Sequence, residues 1–301
     1  MQNPEFEIKP VTLSDKPLFD SFFSGYNGMN SEFTFTNMFM WQKSYNIRYA
    51  LLDNKLCVFS KHGHGAETVN FPLGSGDIKS AVTQLLNYFD KMGQPPLIRL
   101  YKPEEKDLLD RLFPNTFVYT EDRNSYDYVY KIQDLIDLPG NRYHAKRNHI
   151  NRLLAQSGFE YKQIDETLKK PCFDLFINWC DSKKDTVPGI SEQYEAVKRL
   201  FDNMEELNII GGCITVDGRI VAFSFGEVLN TDKSMVVIHL EHADSSVQGS
   251  FPLINQQFLK NEWSEFELVN REEDMGLDGL RRAKKSYHPC LMVKKYIASV
   301  I

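Results

Sequence analysis

Stretches with strand periodicity alternate with amphipathic helical stretches along the chain, and this alternation constrains the fold more than any other feature. In the first half, residues 77–93 repeat apolar side chains at helical spacing, with Asp77 as the cap and Gly93 at the end. In the second half, Asp217-Gly218 separates two apolar runs and is the strongest hairpin signal in the sequence. Strands joined both by helices and by hairpins predict an α/β (α+β) protein with mixed sheets flanked by helices.

The length of 301 residues exceeds what one hydrophobic core usually serves, which favours two domains. Pro139-Gly140 interrupts the pattern, and a new strand–helix series begins after it. We therefore expect one domain at 1–134 and a second at 135–301. Because each half alternates strands and helices around a hairpin, the pattern is compatible with two copies of one mixed fold in tandem.

The overall composition excludes several classes of protein. No apolar run approaches the roughly 18 residues that span a bilayer, and the first residues lack the pattern of a signal peptide, so a cytoplasmic protein is expected. The net charge of -6 argues against non-specific coating of nucleic acid, although a local basic patch remains compatible with it. The five cysteines form no CxxC pair, and the histidines of HGH (62–64) have no third ligand nearby. We expect reduced thiols and no metal site.

The segment 142–152 is a basic helical stretch without an acidic residue. At helical spacing, His144, Arg147, Asn148 and Asn151 share one stripe. Guanidinium, imidazole and carboxamide groups are suitable donors for phosphate or ribose oxygens. The alternative is a solvated face with incidental basic residues, and chemistry alone does not separate the two interpretations.

A histidine and a glutamate stand two residues apart on a predicted strand. Strand alternation places His239 and Glu241 on the same face. Such a pair suits a general base with the carboxylate that orients it, or two groups that bind an amine. The alternative is a structural hydrogen-bonding histidine.

The segment 270–289 carries the densest cluster of charges. Asn270 ends an apolar strand, and Glu273 and Asp274 lie in the loop at its end, where α/β enzymes usually bind ligands. Arg281 and Lys284 follow at helical spacing and share one face. Carboxylates that bind an ammonium group beside cations that bind phosphate would suit an aminoacyl donor. The alternative is a helix with charges that complement its macrodipole.

Gln248-Gly249 precedes a predicted helix, where backbone N–H groups could bind a phosphate of coenzyme A. A single glycine is weak evidence for such a site. The sequence contains neither a P-loop nor a dinucleotide-binding fingerprint.

The runs KRNHIN (146–151), HLEHADSSVQGSFPLINQQF (239–258) and NREEDMGLDGLRRAKKSY (270–287) resemble a bacterial family, the C-terminal domain of phosphatidylglycerol lysyltransferases. FTFTNMFMWQKSYNIRY (33–49) is similar to the opening region of that family. The resemblance implies two tandem Gcn5-related N-acetyltransferase-like domains, with the active site in the second. It also implies transfer of an aminoacyl group from charged tRNA to a lipid, peptide or small-molecule acceptor.

The resemblance, together with side-chain chemistry, suggests roles for individual residues. Lys146, Arg147 and Asn151 would contact donor phosphates or the end of the tRNA. Glu241, Glu273 and Asp274 would bind the aminoacyl ammonium group, Arg281 and Lys284 would bind phosphate, and Asn270 would belong to the substrate site.

Two other functions are compatible with the same resemblance. One is an N-acyltransferase that uses acyl-coenzyme A, with Gln248 and Gly249 at the cofactor, and the other is a non-catalytic binding module. No tightly bound cofactor is expected, since aminoacyl-tRNA or acyl-coenzyme A would enter as a co-substrate. The membrane-bound lysyltransferases carry many transmembrane helices, whereas this sequence shows no candidate span, so a lipid acceptor is less firmly implied than the donor.

Overall fold

The computed structural model describes residues 6–61, 65–156, 158–183, 189–230, 232 and 234–301. The HGH segment at 62–64, for which a loop tip is predicted, lies outside the described residues. The described chain forms two mixed sheets of seven strands each, flanked by helices. This architecture confirms the predicted α/β class.

The first sheet is built almost entirely from the N-terminal half. Its strands follow the spatial order β1-β2-β3-β4-β5-β14-β6. They are β1 (Lys9–Pro10), β2 (Arg48–Leu52), β3 (Lys55–Lys61), β4 (Glu67–Asn70), β5 (Leu97–Leu100), β6 (Phe117–Glu121) and β14 (Tyr296–Val300).

The second sheet has the spatial order β13-β7-β12-β11-β10-β9-β8. Its strands are β7 (Asp127–Lys131), β8 (Phe159–Gln163), β9 (Ile210–Val216), β10 (Arg219–Val228), β11 (Met235–Ala243), β12 (Leu268–Asn270) and β13 (Leu291–Val293). The β9–β10 hairpin turns at Asp217 and Gly218, both with positive φ, as the sequence predicts.

Helices cover the sheets and connect strands within each half. They are α1 (Lys16–Tyr26), α2 (Phe35–Met40), α3 (Ile78–Lys91), α4 (Pro103–Leu112), α5 (Ile132–Asp137), α6 (His144–Gln156), α7 (Glu166–Lys183), α8 (Ile190–Asp202), α9 (Met204–Leu207), α10 (Ser250–Glu262) and α11 (Asp278–Lys285). None of the described helices combines the length and the apolar character needed to cross a membrane.

The two sheets share one pattern of strand directions. In the first sheet, β4 and β5 are parallel and α3 lies between them in sequence. In the second, β11 and β12 are parallel and α10 lies between them, while the other described neighbours in both sheets are antiparallel. A parallel pair needs a crossover connection, which each of these helices supplies.

The sheets do not divide the chain at the predicted boundary between 134 and 135. Strand β7 precedes that boundary but belongs to the second sheet, and the C-terminal strand β14 returns to the first sheet. Where the chain crosses between β13 and β14, the buried Lys295 donates to Asp127 at 2.8 Å and to Glu32 at 2.6 Å. The positions of β7 and β14 mean that each sheet contains a strand from the other half of the chain. The ion cluster also joins residues from both halves.

Candidate active site

A cavity of about 990 Å³ lies between the two halves of the molecule. Strand β11 pairs with β12 only through Met235–Val237, and β12 then ends at Asn270 while β11 continues to Ala243. The two parallel strands therefore leave a gap at their carboxyl ends, which is a usual place for ligands in such sheets. Residues 238–241 of β11 and residues 271–273 after β12 line the cavity at this gap.

Other walls of the cavity come from both halves. The region of α2, with strands β3, β4 and β5, forms the N-terminal side, and α11 with the first turn of α10 forms the C-terminal side. The sequence predicts the aromatic segment 33–49 as a core wall, and Phe35 and Phe39 are buried accordingly. The stacked rings of Trp41 and Tyr45, 5.1 Å apart, instead line the cavity.

The structure brings part of the predicted site together. The predicted residues that line the cavity are Lys146, His239, Glu241, Glu273 and Lys284. The predicted residues outside its lining are Arg147, Asn151, Gln248, Gly249, Asn270, Asp274 and Arg281.

Three cations converge on one wall of the cavity. The buried guanidinium of Arg271 donates to Glu241 at 2.9 Å and lies 4.7 Å from the centre of the Tyr287 ring. Lys284 donates to the Arg271 carbonyl, and the Lys146 ammonium lies 3.9 Å from the Tyr287 ring centre. Burial, reinforced by the Arg271 charge, lowers the pKa of Lys284 to about 8 and also lowers the pKa of Lys146. The sequence motifs give Arg271 no role, although its position directly after an apolar strand is a signal for one.

His239 does not pair with Glu241 as the sequence predicts. Its Nδ1 lies 2.8 Å from Glu272 and its Nε2 2.8 Å from Glu227, and the ring is buried. Burial acts to lower the pKa of His239, but the two carboxylates outweigh it and raise the pKa to about 9. The ring is therefore an imidazolium near neutral pH that donates both protons and has no nitrogen available to accept one. The expected base-and-orienter geometry is wrong, since His239 pairs with Glu227 and Glu272 while Arg271 and Asn255 donate to Glu241.

Glu273 is a cavity carboxyl group with a pKa near neutral pH. Burial raises its pKa to about 7, with Glu272 adding to the effect and Lys295 opposing it. A carboxyl group in this range can accept and return a proton at neutral pH.

Asp274 and Arg281 form a pair with each other instead of facing the cavity. The Asp274 side chain has no exposed surface, and it accepts from Arg281 Nε at 2.9 Å and from Nη2 at 2.8 Å. Tyr128 and Arg123 also donate to it, at 2.6 and 3.2 Å. Burial acts to raise the pKa of Asp274, but the hydrogen bonds from Arg281 and Tyr128 outweigh it and keep the pKa low. We therefore revise the expected ligand-binding roles of Asp274 and Arg281 to a structural one.

Asn270 and Arg147 also have protein partners. Asn270 is buried, donates to the carbonyl of Met29 at 2.7 Å, and accepts from the backbone N–H of Glu272 at 2.7 Å, so it fixes the path of the acidic loop. Arg147 donates to the carbonyls of Leu138 and Gly140 beyond the end of α5. Both contacts are structural, in place of the expected substrate contacts, and Asn151 is exposed on α6.

The turn before α10 offers few donors for a phosphate. Gly249 has a φ of 100°, and a Cβ there would lie 2.5 Å from the His149 carbonyl oxygen. The N–H of Ser250 is bonded to the Val247 carbonyl, the N–H of Leu253 is bonded to the Gly249 carbonyl, and proline stands at 252. Gln248 accepts from Arg152 at 3.0 Å. Gln248 and Gly249, for which the sequence predicts a cofactor role, thus make contacts within the protein instead. Among the described residues, no three His, Cys, Asp or Glu side chains converge as metal ligands.

A family model described as phosphatidylglycerol lysyltransferase, C-terminal, matches residues 23–299. The chain belongs to this family. A conserved protein of unknown function from Bacteroides thetaiotaomicron VPI-5482 is 32% identical, with a TM-score of 0.90 over 98% of this chain and 100% of that one. The match to a curated relative, uncharacterized protein MYCGA3080 of Mycoplasmoides gallisepticum, is 24% identical and spans 59% of this chain and 57% of the relative.

Two further structures define the fold of this phosphatidylglycerol lysyltransferase C-terminal family member. L-PGS from Bacillus licheniformis has a TM-score of 0.64 at 15% identity, over 97% of this chain and 92% of that one. A tandem GNAT protein from the clavulanic acid biosynthesis pathway has a TM-score of 0.54 at 7% identity, over 98% of both chains. The predicted tandem Gcn5-related acyltransferase-like fold is confirmed.

Proposed function

We propose that the protein transfers an aminoacyl group from charged tRNA to a hydroxyl or amine acceptor in the cavity between its two halves. Family membership supports an aminoacyl transferase, and the lysyltransferase name of the family supports tRNA as the donor. A lipid, a peptide or a small molecule would each supply the acceptor group.

The observation that carries the proposal is the arrangement of opposite charges in one cavity. Lys146, Arg271 and Lys284 supply positive charge, while Glu272 and Glu273 supply carboxylates beside them. An aminoacyl ester requires both, because its ammonium group is positive and its carbonyl oxygen becomes negative during transfer. A volume of about 990 Å³ is at the upper end of the usual range for small-molecule sites.

These positions support the following reaction. The acceptor oxygen or nitrogen attacks the ester carbonyl, and the resulting oxyanion is stabilised by Lys284 with the charge of Arg271 nearby. Glu273 takes the proton of the attacking group and passes it to the ribose oxygen as that oxygen leaves. The new ester or amide and a free tRNA hydroxyl are the products. Glu272, paired with His239, provides negative charge for the aminoacyl ammonium.

A basic patch beside the cavity suits the acceptor end of tRNA, although the whole chain is acidic. The turn before α6 contacts the turn after α11, with His288 3.4 Å from the Arg142 carbonyl. We call four exposed cations the basic patch: Arg142 just before α6, Arg152 on α6, and Arg282 and Lys285 on α11. Arg142 also pairs with Asp134 at 2.8 Å. Phosphate contacts by arginine and lysine supply most of the sequence-independent affinity for nucleic acids.

Acyl-coenzyme A is the alternative donor, and the structure supports it less well. A helix N-terminus binds phosphate through unoccupied backbone N–H groups. In α10 the N–H groups of Ser250 and Leu253 are bonded within the turn, and residue 252 is a proline.

A transfer assay tests the donor. The protein is incubated with a labelled charged-tRNA pool or with labelled acyl-coenzyme A, each with a bacterial lipid and metabolite extract. We expect label to move into an extract component from charged tRNA, and Lys284→Gln to abolish most of it. Transfer from acyl-coenzyme A alone would reject the proposal, as would the absence of transfer from both donors under conditions where a related enzyme is active.

A further inference from the structure

The inner face of the first sheet, at the N-terminal end of the cavity, is more polar than a packed sheet face. Ser60 on β3, Asn70 on β4 and Arg99 on β5 line the cavity there. The opposite face of the same strands carries buried apolar residues, including Phe59 and Ile98. Since one face packs a core and the other presents polar groups to an enclosed space, the polar face has the character of a binding surface.

Two donors of this surface have hydrogen-bonding capacity left for a ligand. Arg99 Nε donates to Thr68 at 3.2 Å, while its Nη1 lies 4.0 Å from Asp122, at the limit of an ion pair. Asp122 already accepts a closer hydrogen bond from Ser125, at 2.7 Å. The Tyr101 side chain is only 6% exposed and lines the cavity, and its hydroxyl makes no hydrogen bond within the described part of the chain.

Tyr101 directly follows β5, two residues after Arg99, and both residues line the cavity. The Tyr101 hydroxyl stays protonated, because burial and the nearby Glu32 carboxylate raise its pKa while Arg99 opposes them. It is therefore a donor beside a guanidinium, a combination that suits the oxygen atoms of a phosphate or carboxylate.

A third group adds an acceptor to this pair. Glu32 also lines the cavity, and its Oε1 accepts from Lys295 at 2.6 Å. Its Oε2 is buried and has no partner among the described residues. A buried acceptor without a partner is costly unless a ligand supplies a hydrogen. The surface thus offers two donors for an anion and one acceptor for an adjacent O–H or N–H group.

We propose that Arg99, Tyr101 and Glu32 form a subsite for the acceptor substrate, which carries a phosphate or carboxylate next to the hydroxyl or amine that is acylated. The subsite rests on the proposed function, since it holds the acceptor at the end of the cavity formed by the first sheet. Lys146, Arg271 and Lys284 belong to the other half of the chain and remain for the donor. The tandem arrangement then gives each half of the chain one substrate to bind.

Binding of small anions, followed at Arg99 itself, tests the subsite without an activity assay. The protein is labelled with ¹⁵N-arginine, and the Nε signal of Arg99 is identified by its loss in Arg99→Gln. We expect inorganic phosphate and glycerol 3-phosphate to shift this signal and uncharged glycerol to leave it in place. Vesicles of phosphatidylglycerol in phosphatidylcholine form a separate arm, and a shift there as well identifies a lipid headgroup as a source of the anion.

Variants give the size of the effect. Arg99→Gln should weaken the calorimetric affinity for glycerol 3-phosphate about tenfold, as expected for a lost hydrogen bond to a charged group. Tyr101→Phe should weaken it about threefold while keeping the fold, because the ring contact with Phe33 remains. Arg111→Gln, on the exposed side of α4, is the matched control and should bind like the unmodified protein.

An Arg99 signal that no anion shifts, or an affinity that Arg99→Gln leaves unchanged, overturns the subsite. These outcomes are separate from those of the transfer assay. A shifted Arg99 signal without any aminoacyl transfer would keep the subsite and reject the proposed function. Aminoacyl transfer with an unresponsive Arg99 would reject the subsite alone.

Discussion

Within the segment 270–287, neighbouring residues of the same charge type have different surroundings. Glu273 faces the cavity and has a pKa raised to about 7, whereas Asp274, the next residue, is locked by Arg281 and has a lowered pKa. On α11, Arg281 belongs to this locked pair, while Lys284 faces the cavity with its pKa lowered to about 8. Burial without a full set of partners moves a group toward neutral titration, and a complete ion pair moves it away.

The difference separates groups that hold the loop from groups that are available for chemistry. The locked pair fixes the position of α11 relative to β7, since Tyr128 donates to the same carboxylate. The cavity-facing residues Glu273 and Lys284 then project from a rigid support. Pre-organised charges of this kind act on a developing oxyanion without rearranging during the reaction.

Breaking the locked pair should give the largest effect on stability. Asp274→Asn removes a buried charge and leaves the Arg281 and Arg123 guanidinium groups without it, so we expect the free energy of unfolding to fall by about 3 kcal/mol. Chemical denaturation measures this loss. Asp107→Asn on the exposed side of α4 is the control and should change stability by less than about 0.5 kcal/mol. A loss below about 1 kcal/mol in Asp274→Asn would contradict the structural role of the pair.

Removing the cavity cation should affect the rate more than the stability. Lys284→Gln takes away the charge closest to the proposed oxyanion, and we expect kcat for transfer from charged tRNA to fall about a hundredfold. Steady-state kinetics with the acceptor found in the transfer assay would measure the change. Lys260→Gln, at an exposed lysine of α10, should keep full activity. Equal kcat values in the two variants would remove Lys284 from the mechanism.

Local patterns in the sequence are sufficient to predict much of the fold. The Asp217-Gly218 hairpin and the helices α3 and α10 follow from turn chemistry and apolar spacing, which act between near neighbours. The return of β14 to the first sheet does not follow from such patterns. It depends on pairing with β5 and β6, strands almost two hundred residues earlier in the chain.

The sequence predicts the region of the candidate site but not which residues in it face the cavity. The acidic loop at the end of β12 was expected near the ligand, yet the sequence does not show which acid faces inward. Glu272 and Met275, on either side of Glu273 and Asp274, adopt positive φ, at 57° and 51°, a backbone path that the sequence pattern does not predict. The motifs that indicate chemistry lie in the second half of the sequence and give no signal for Arg99, whereas residues of both halves line the cavity.

The pH dependence of stability tests whether Glu273 is a cavity-facing carboxyl group with a raised pKa. Its pKa is higher in the folded protein than the ordinary 4.5, so between about pH 4.5 and 7 the folded state binds a proton that the unfolded state releases. The free energy of unfolding should therefore fall as pH rises through this window, by up to about 1.4 kcal/mol for each unit by which the folded pKa exceeds the unfolded one. Denaturation of Glu273→Gln across the window should show a flatter dependence, whereas Glu265→Gln, at an exposed position, should keep the original slope. Identical slopes in all three proteins would show that Glu273 is an ordinary exposed carboxylate.

The exposed cations of α11 should give the smallest effect and complete the comparison along this helix. Arg282 and Lys285 belong to the basic patch. Arg282 stands between the locked Arg281 and the cavity-facing Lys284, and Lys285 follows Lys284. In the proposed complex both would contact tRNA only through its phosphates. Each replacement by Gln should weaken charged-tRNA binding only about two- to threefold and reduce the slope of log affinity against log salt by about one. Binding titrations at several salt concentrations measure the slope, with Lys260→Gln as the unchanged control. A loss of affinity that salt does not modify would show that these side chains act through a specific contact, and the distinction between the exposed and the cavity-facing cations of α11 would no longer hold.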